Sequence, residues 1–127
     1  MKSKLTESEF QEIIGRRSKG VIDFSQFLDE LSQRGINEYE IEVATGQATY
    51  KGINLEFKTD SQTNLKISEE FNRNKVFEAI ANISLPFLDF LKEIAEAGIV
   101  AYRVNIPEKR VIYMSTGEEE IEEQLKL

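Results

Sequence analysis

The apolar positions of this chain change their period from 3.6 to 2, and they do so twice. Phe24, Phe27, Leu28 and Leu31 recur at the i, i+3, i+4, i+7 spacing of one helical face. Asp23 stands where an N-cap belongs, and Gln26 three residues later completes a capping-box pattern. Gly35 follows the last apolar position, where a helix ends in a left-handed residue. Beyond it the period becomes 2: Tyr39, Ile41 and Val43 alternate with Glu38, Glu40 and Glu42, the signature of a half-buried strand. The "ATGQ" turn and a return strand ending at Tyr50 complete a hairpin. Lys51-Gly52 offers a second turn into a strand on which Ile53, Leu55 and Phe57 alternate.

The same pattern returns 63 residues later without a gap. Phe24, Phe27, Leu28, Glu30, Gly35, Ile36, Tyr39 and Tyr50 meet identical residues at 87, 90, 91, 93, 98, 99, 102 and 113. Ser84 is a candidate cap, Pro86 fits the first turn, and Gly98 closes the second helix. Tyr102, Val104 and Ile106 are predicted to face inward, with Arg103 and Asn105 outward. After the turn at "IPEKR" a strand returns to Tyr113; beyond Thr116-Gly117, "EEEIEEQL" fits a strand or a frayed helix. Each unit opens with a further helix. Thr6 and Glu9 form a capping box before Phe10, Ile13 and Ile14, and Asn72 caps a helix carrying Val76, Phe77 and Ile80. The polar stretch "KTDSQTNLKISEEFNRN" links the units. The expectation is one α+β domain over residues 1–127, built of two tandem repeats (about 1–63 and 64–127). Each repeat is helix, helix and β-meander, and the two share one antiparallel sheet with helices on one face. A half of this size is marginal alone, so the chain is not divided at the linker.

Composition narrows the chemistry. The chain has no cysteine, histidine or tryptophan. Disulfides, thiolate nucleophiles, the usual general base and the commonest metal ligand are therefore excluded. A net charge of −7 argues against general nucleic-acid binding. No window approaches the roughly 18 apolar residues of a membrane span, and the N-terminus lacks the apolar run of a signal peptide. A soluble, cytoplasmic protein without cofactor is expected.

Two stretches carry a family resemblance: "FLDELSQRGINEYEIEV" followed by "TY", and "FLDFLKEIAEAGIVAYRVNIPEKRVIYMSTGE". They resemble the YbcV-like, or phage envelope protein-like, family of small bacterial proteins of unknown function. The resemblance would cover most of the chain. It describes a helix-to-hairpin joint rather than a site, so it implies no catalytic residue.

Four residues are candidates for ligand binding: Tyr39, Tyr102, Arg103 and Arg110. If the repeats are related by a two-fold axis, Tyr39 and Tyr102 flank a shared groove; the alternative is that each ring covers a helix–strand joint. Arg103, Lys109 and Arg110 offer a basic set for an anionic ligand or an acidic partner, or are ordinary surface charge. Glu38, Glu40 and Glu42 lie about 6.6 Å apart along a strand, too far to converge on a cation, and read as a solvated face. No catalytic residue and no metal site is assigned. The favoured function is a non-catalytic binding or assembly module, phage-derived by the resemblance, with a protein partner or self-association. The alternative is a small-molecule binder or enzyme with a groove between the repeats.

Overall fold

The structure is a computed structural model and describes residues 5–82 and 85–125. Its elements follow in the order α1 (Glu7–Ser18), α2 (Phe24–Gln33), β1 (Ile36–Glu42), β2 (Ala48–Gly52), β3 (Leu55–Lys58), α3 (Arg73–Ala81), α4 (Phe87–Glu96), β4 (Ile99–Asn105), β5 (Arg110–Ser115) and β6 (Glu120–Gln124). The six strands form one sheet in the order β3-β2-β1-β4-β5-β6, with every neighbour antiparallel. The fold is α+β. "EEEIEEQL" is a strand, its Ile121 buried between exposed glutamates.

Local chemistry sets the helices. Thr6 and Asp23 both close capping boxes, with Glu9 and Gln26 respectively. Asn72 accepts from Lys75 N–H to cap α3. The fourth helix departs from expectation. Pro86 stands at its N-cap, not in its first turn, and gives no side-chain cap; Ser84 lies outside the described residues. Gly35 and Gly98 have φ of 91° and 90°, each donating its N–H back three residues to Ser32 and Ala95. That geometry is left-handed, which glycine adopts without a Cβ clash.

The central pairing is symmetric in register. Glu40 of β1 lies opposite Arg103 of β4, so equivalent residues of the two units meet at the midline. Val43 N–H donates to Val100 O at one end, and Ile106 N–H donates to Asn37 O at the other. A register shift occurs after Ile36 in β1 and again after Ile99 in β4.

Two turn assignments change. The β2–β3 turn falls at Ile53-Asn54, not at Lys51-Gly52, and Ile53 is exposed in it. Asn54 has φ of 59°, a conformation asparagine tolerates. Gly52 is required for a different reason, because a Cβ there would lie 1.9 Å from the carbonyl oxygen of Gly35. Both return strands also continue two residues beyond Tyr50 and Tyr113.

The core lies between the sheet and the helices. Phe10, Ile13, Phe27, Leu28 and Leu31 pack from α1 and α2; Val76, Leu91 and Ile94 pack from α3 and α4. Phe27 is buried, whereas Phe90 is only partly so and Phe87 is exposed. The linker has no regular structure but is tied down. Gln62 and Thr63 N–H donate to Thr45 O, Leu65 to Ala44 O, Ser68 to Ala95 O and Asn72 to Ala97 O.

Candidate functional site

Alternation along the strands assigns every side chain of the sheet to one of two faces. Tyr39 and Tyr102 point inward, toward the helices; Arg103 and Arg110 point outward. The four candidate residues therefore cannot form one site, and each face has its own chemistry.

On the inner face the two tyrosines belong to a set of four. Tyr39 is paired across the hairpin with Tyr50, ring centroids 4.8 Å apart, and Tyr102 with Tyr113 at 5.4 Å. Phe27 of α2 meets Tyr39 and Tyr50 edge-on, both at 6.3 Å; Phe90 of α4 meets Tyr102 and Tyr113 at 6.0 and 6.4 Å. All four tyrosines are at least nine-tenths buried. Tyr113 donates its hydroxyl to Glu123 at 3.0 Å. The hydroxyls of Tyr39, Tyr50 and Tyr102 have no hydrogen-bond partner among the described residues. None of the three residues is fully sealed, since each keeps 5–8% of its surface exposed. A buried hydroxyl with no partner is costly, about 1–3 kcal/mol, so these three are open to a partner beyond the described residues, water included.

Burial raises the pKa of all four phenols. For Tyr39 the neighbouring phenols add to the rise, while Arg17 opposes it at both Tyr39 and Tyr50. Arg17 is exposed; its guanidinium lies over the Phe24 ring, 5.8 Å from the centroid. These phenols stay protonated at neutral pH and act as hydrogen-bond donors.

Among the described residues no helix covers the outer face of the sheet, and its residues stand in transverse rows. One row reads Glu56, Lys51, Glu38, Asn105, Arg110, Gln124. The next reads Lys58, Thr49, Glu40, Arg103, Ile112, Glu122, and the last Glu42, Ala101, Met114, Glu120. The charges of the two units meet within the chain. Arg103 Nη2 is 3.2 Å from Glu40 Oε1. Arg110 Nε is 2.8 Å from Glu122 Oε1, a close charge contact without hydrogen-bond alignment. The two arginines of the basic set are thus engaged by their own neighbours. Around the midline, Glu38, Tyr39, Glu40, Thr49, Lys51 and Arg103 line a shallow cavity of about 210 Å³. Ala101, Ile112 and Met114 form a half-buried apolar strip flanked by Glu42, Glu120 and Glu122. The strip is readable in "RVIYMS", since inward Val111 and Tyr113 force Ile112 and Met114 outward.

A larger open groove of about 730 Å³ runs between linker residues Leu65–Glu70 and α4, with mixed Lys and Glu lining. No cluster of three or more metal-ligating side chains gathers among the described residues. Among them, no helix is long and apolar enough to cross a membrane.

Residues 11–123 match the family of proteins of unknown function DUF1398. The chain belongs to the DUF1398 family. The match spans both units of the sheet, from within α1 into β6, so the paired tyrosines and the bare outer face lie inside the family domain. No curated protein matches the chain.

Proposed function

We propose that this DUF1398 protein is a non-catalytic binding module, one domain of two tandem repeats (about 1–63 and 64–127), acting in the cytoplasm. In this reading the bare sheet face receives a protein partner that presents basic side chains around an apolar residue. The observation that carries it is the strip Ala101, Ile112 and Met114, with Glu42, Glu120 and Glu122 around it. Arg103 and Arg110 are paired with Glu40 and Glu122, so the charge left to attract a partner there is that of Glu42 and Glu120. The net charge of −7 favours the same partner at longer range. A role in assembly within a phage-derived system accords with the sequence resemblance to phage envelope-like proteins.

The titratable groups support binding over catalysis. Burial holds the tyrosines protonated, and ion pairing or hydrogen bonds hold Glu9, Glu96 and Glu119 ionised. Neither set is poised to exchange protons near neutral pH; Glu123, whose carboxyl pKa burial pushes up, is engaged by the Tyr113 hydroxyl.

The test is an amide-shift titration with a peptide of alternating Lys and Val. Shifts confined to β1, β4, β5 and β6, lost in Met114→Glu, support the reading. Shifts spread over every acidic surface mean non-specific attraction and overturn it. Sedimentation of the protein alone checks the remaining occupant: a concentration-dependent dimer abolished by Met114→Glu would make the partner a second copy.

A further inference from the structure

The second chemistry of the molecule lies on its other face and does not depend on the sheet-face reading. Tyr39 and Tyr102 sit on the two central strands, with Tyr50 and Tyr113 directly beside them, so four phenols occupy the middle of the sheet. Above them, α2 packs on α1 and β1, and α4 packs on α3 and β4; no comparable contact joins α2 to α4. The phenols therefore lie beneath the seam between the two helix pairs. Tyr39, Tyr50 and Tyr102 are more than nine-tenths buried, yet among the described residues their hydroxyls find no partner, and each residue keeps a little of its surface exposed. Phenol O–H groups in such a setting present donors to whatever enters.

We propose that the seam between α2 and α4 binds a small aromatic carboxylate, its oxygens accepting from the hydroxyls of Tyr39, Tyr50 and Tyr102 and its ring lying against Phe27 and Phe90. Three features fix the class. The unpartnered protein groups are protonated hydroxyls, which can donate to an oxygen-rich acceptor. The surrounding walls are aromatic, and rings stack or meet edge-on there already. The charge on the first unit's side is positive: Arg17 is close enough to act on both Tyr39 and Tyr50, and its guanidinium rests on Phe24, tethered by a 3.4 Å contact to Ile22 O, whereas the Glu123 carboxylate lies on the second unit's side, bound to Tyr113. The equivalent position in the second unit is Ile80, so the positive charge enters from the first unit only. That asymmetry orients the carboxylate toward α1.

The absence of tryptophan makes the test direct, because tyrosine alone supplies the ultraviolet emission and the near-ultraviolet difference spectrum. The full chain is titrated with sodium benzoate, and in parallel with benzyl alcohol, its uncharged analogue. Benzoate is expected to give a saturable tyrosine difference spectrum, with benzyl alcohol at least about tenfold weaker, the loss expected for a charge-assisted contact of roughly 1.4 kcal/mol. The double variant Tyr39→Phe/Tyr102→Phe keeps the rings and removes two donors. Arg17→Gln changes an exposed side chain and leaves the core alone. Both should retain the wild-type far-ultraviolet spectrum, and both should weaken benzoate. No saturable change at millimolar benzoate means that bulk water satisfies the hydroxyls, and overturns the proposal. Saturable binding unchanged in the double Phe variant places the ligand elsewhere and overturns it equally.

Discussion

A single residue shows most clearly how far repetition of sequence and repetition of backbone can part. Gly46 and Lys109 are equivalent in the two units, and both are left-handed, with φ of 73° and 52°. Lysine takes there a conformation that costs an L-residue about 1–2 kcal/mol. Lys109→Gly should therefore stabilise the protein, by about 0.5–1 kcal/mol after the extra entropy of glycine, measured by urea unfolding. The glycines at 35 and 98 make the converse case. Each should lose about 1–2 kcal/mol on substitution by alanine from backbone strain alone. At Gly98 a Cβ would also lie 2.7 Å from Glu70 O, whereas at Gly35 it meets only Leu55 Cδ1 at 3.5 Å. Gly98→Ala should thus be the more damaging of the two, and equal losses would mean that the linker shifts freely away from α4. Gly35 and Gly98 were legible because glycine there has one reason, to end a helix. Gly52 reads as a turn residue in the sequence because its actual reason is the backbone of Gly35, far away along the chain. Lys109 carried no signal, since its strain belongs to the turn and not to its side chain.

At the scale of elements, helix ends and inward positions were written plainly, and burial depth was not. The first unit has a capping box on each helix, and a salt bridge ties each end of α1 to α2: Arg34 to Glu9 at 2.7 Å and Arg16 to Glu30 at 2.8 Å. Removing one box by Asp23→Ala should cost about 1 kcal/mol. Glu9 serves both its box and Arg34, and these hydrogen bonds hold its pKa at about 2 against an ordinary 4.5. A depressed folded-state pKa gives stability that is present above about 4.5 and lost as pH falls toward 2. The urea midpoint of the wild type should therefore fall toward that of Glu9→Gln across this window. A constant difference between the two would show that the carboxylate charge is not used. The second unit is more open: Phe77, Phe87 and Leu88 are 40–46% exposed on α3 and α4. Phe27→Ala should cost about 3–5 kcal/mol, and Phe90→Ala clearly less, although the two occupy one pattern position. Periodicity tells which way a side chain points, but the depth of its burial depends on what the other elements place above it.

The whole molecule is held together at its midline by the β1–β4 pairing, where the charges of the two units differ by sign. Glu40 faces Arg103, and around them Glu38 faces Asn105 and Glu42 faces Ala101. Applied to two copies of the first unit, the same register would set Glu40 against Glu40 and Glu38 against Glu42. Two copies of the second would set Arg103 against Arg103. Like charges directly opposite across strands destabilise by about 0.2–1 kcal/mol per pair, whereas the exposed Arg103–Glu40 pair contributes about 0–1 kcal/mol. The sign difference thus serves the union of unlike halves more than it strengthens the finished sheet. Apolar alternation announced the shared sheet, but not that these charges would meet in one chain, because register between distant strands leaves no local trace. Fragments 1–63 and 64–127 should accordingly be largely unfolded apart and fold on mixing as a one-to-one complex, seen by circular dichroism and native mass spectrometry. Arg103→Glu in the second fragment should weaken that complex, and raised salt should narrow the gap between variant and wild type, since these charges are exposed and screened. Stable homodimers of either fragment, forming as readily as the mixed complex, would show that apolar packing alone selects the partner and that the Glu40–Arg103 contact follows from the fold without helping to specify it.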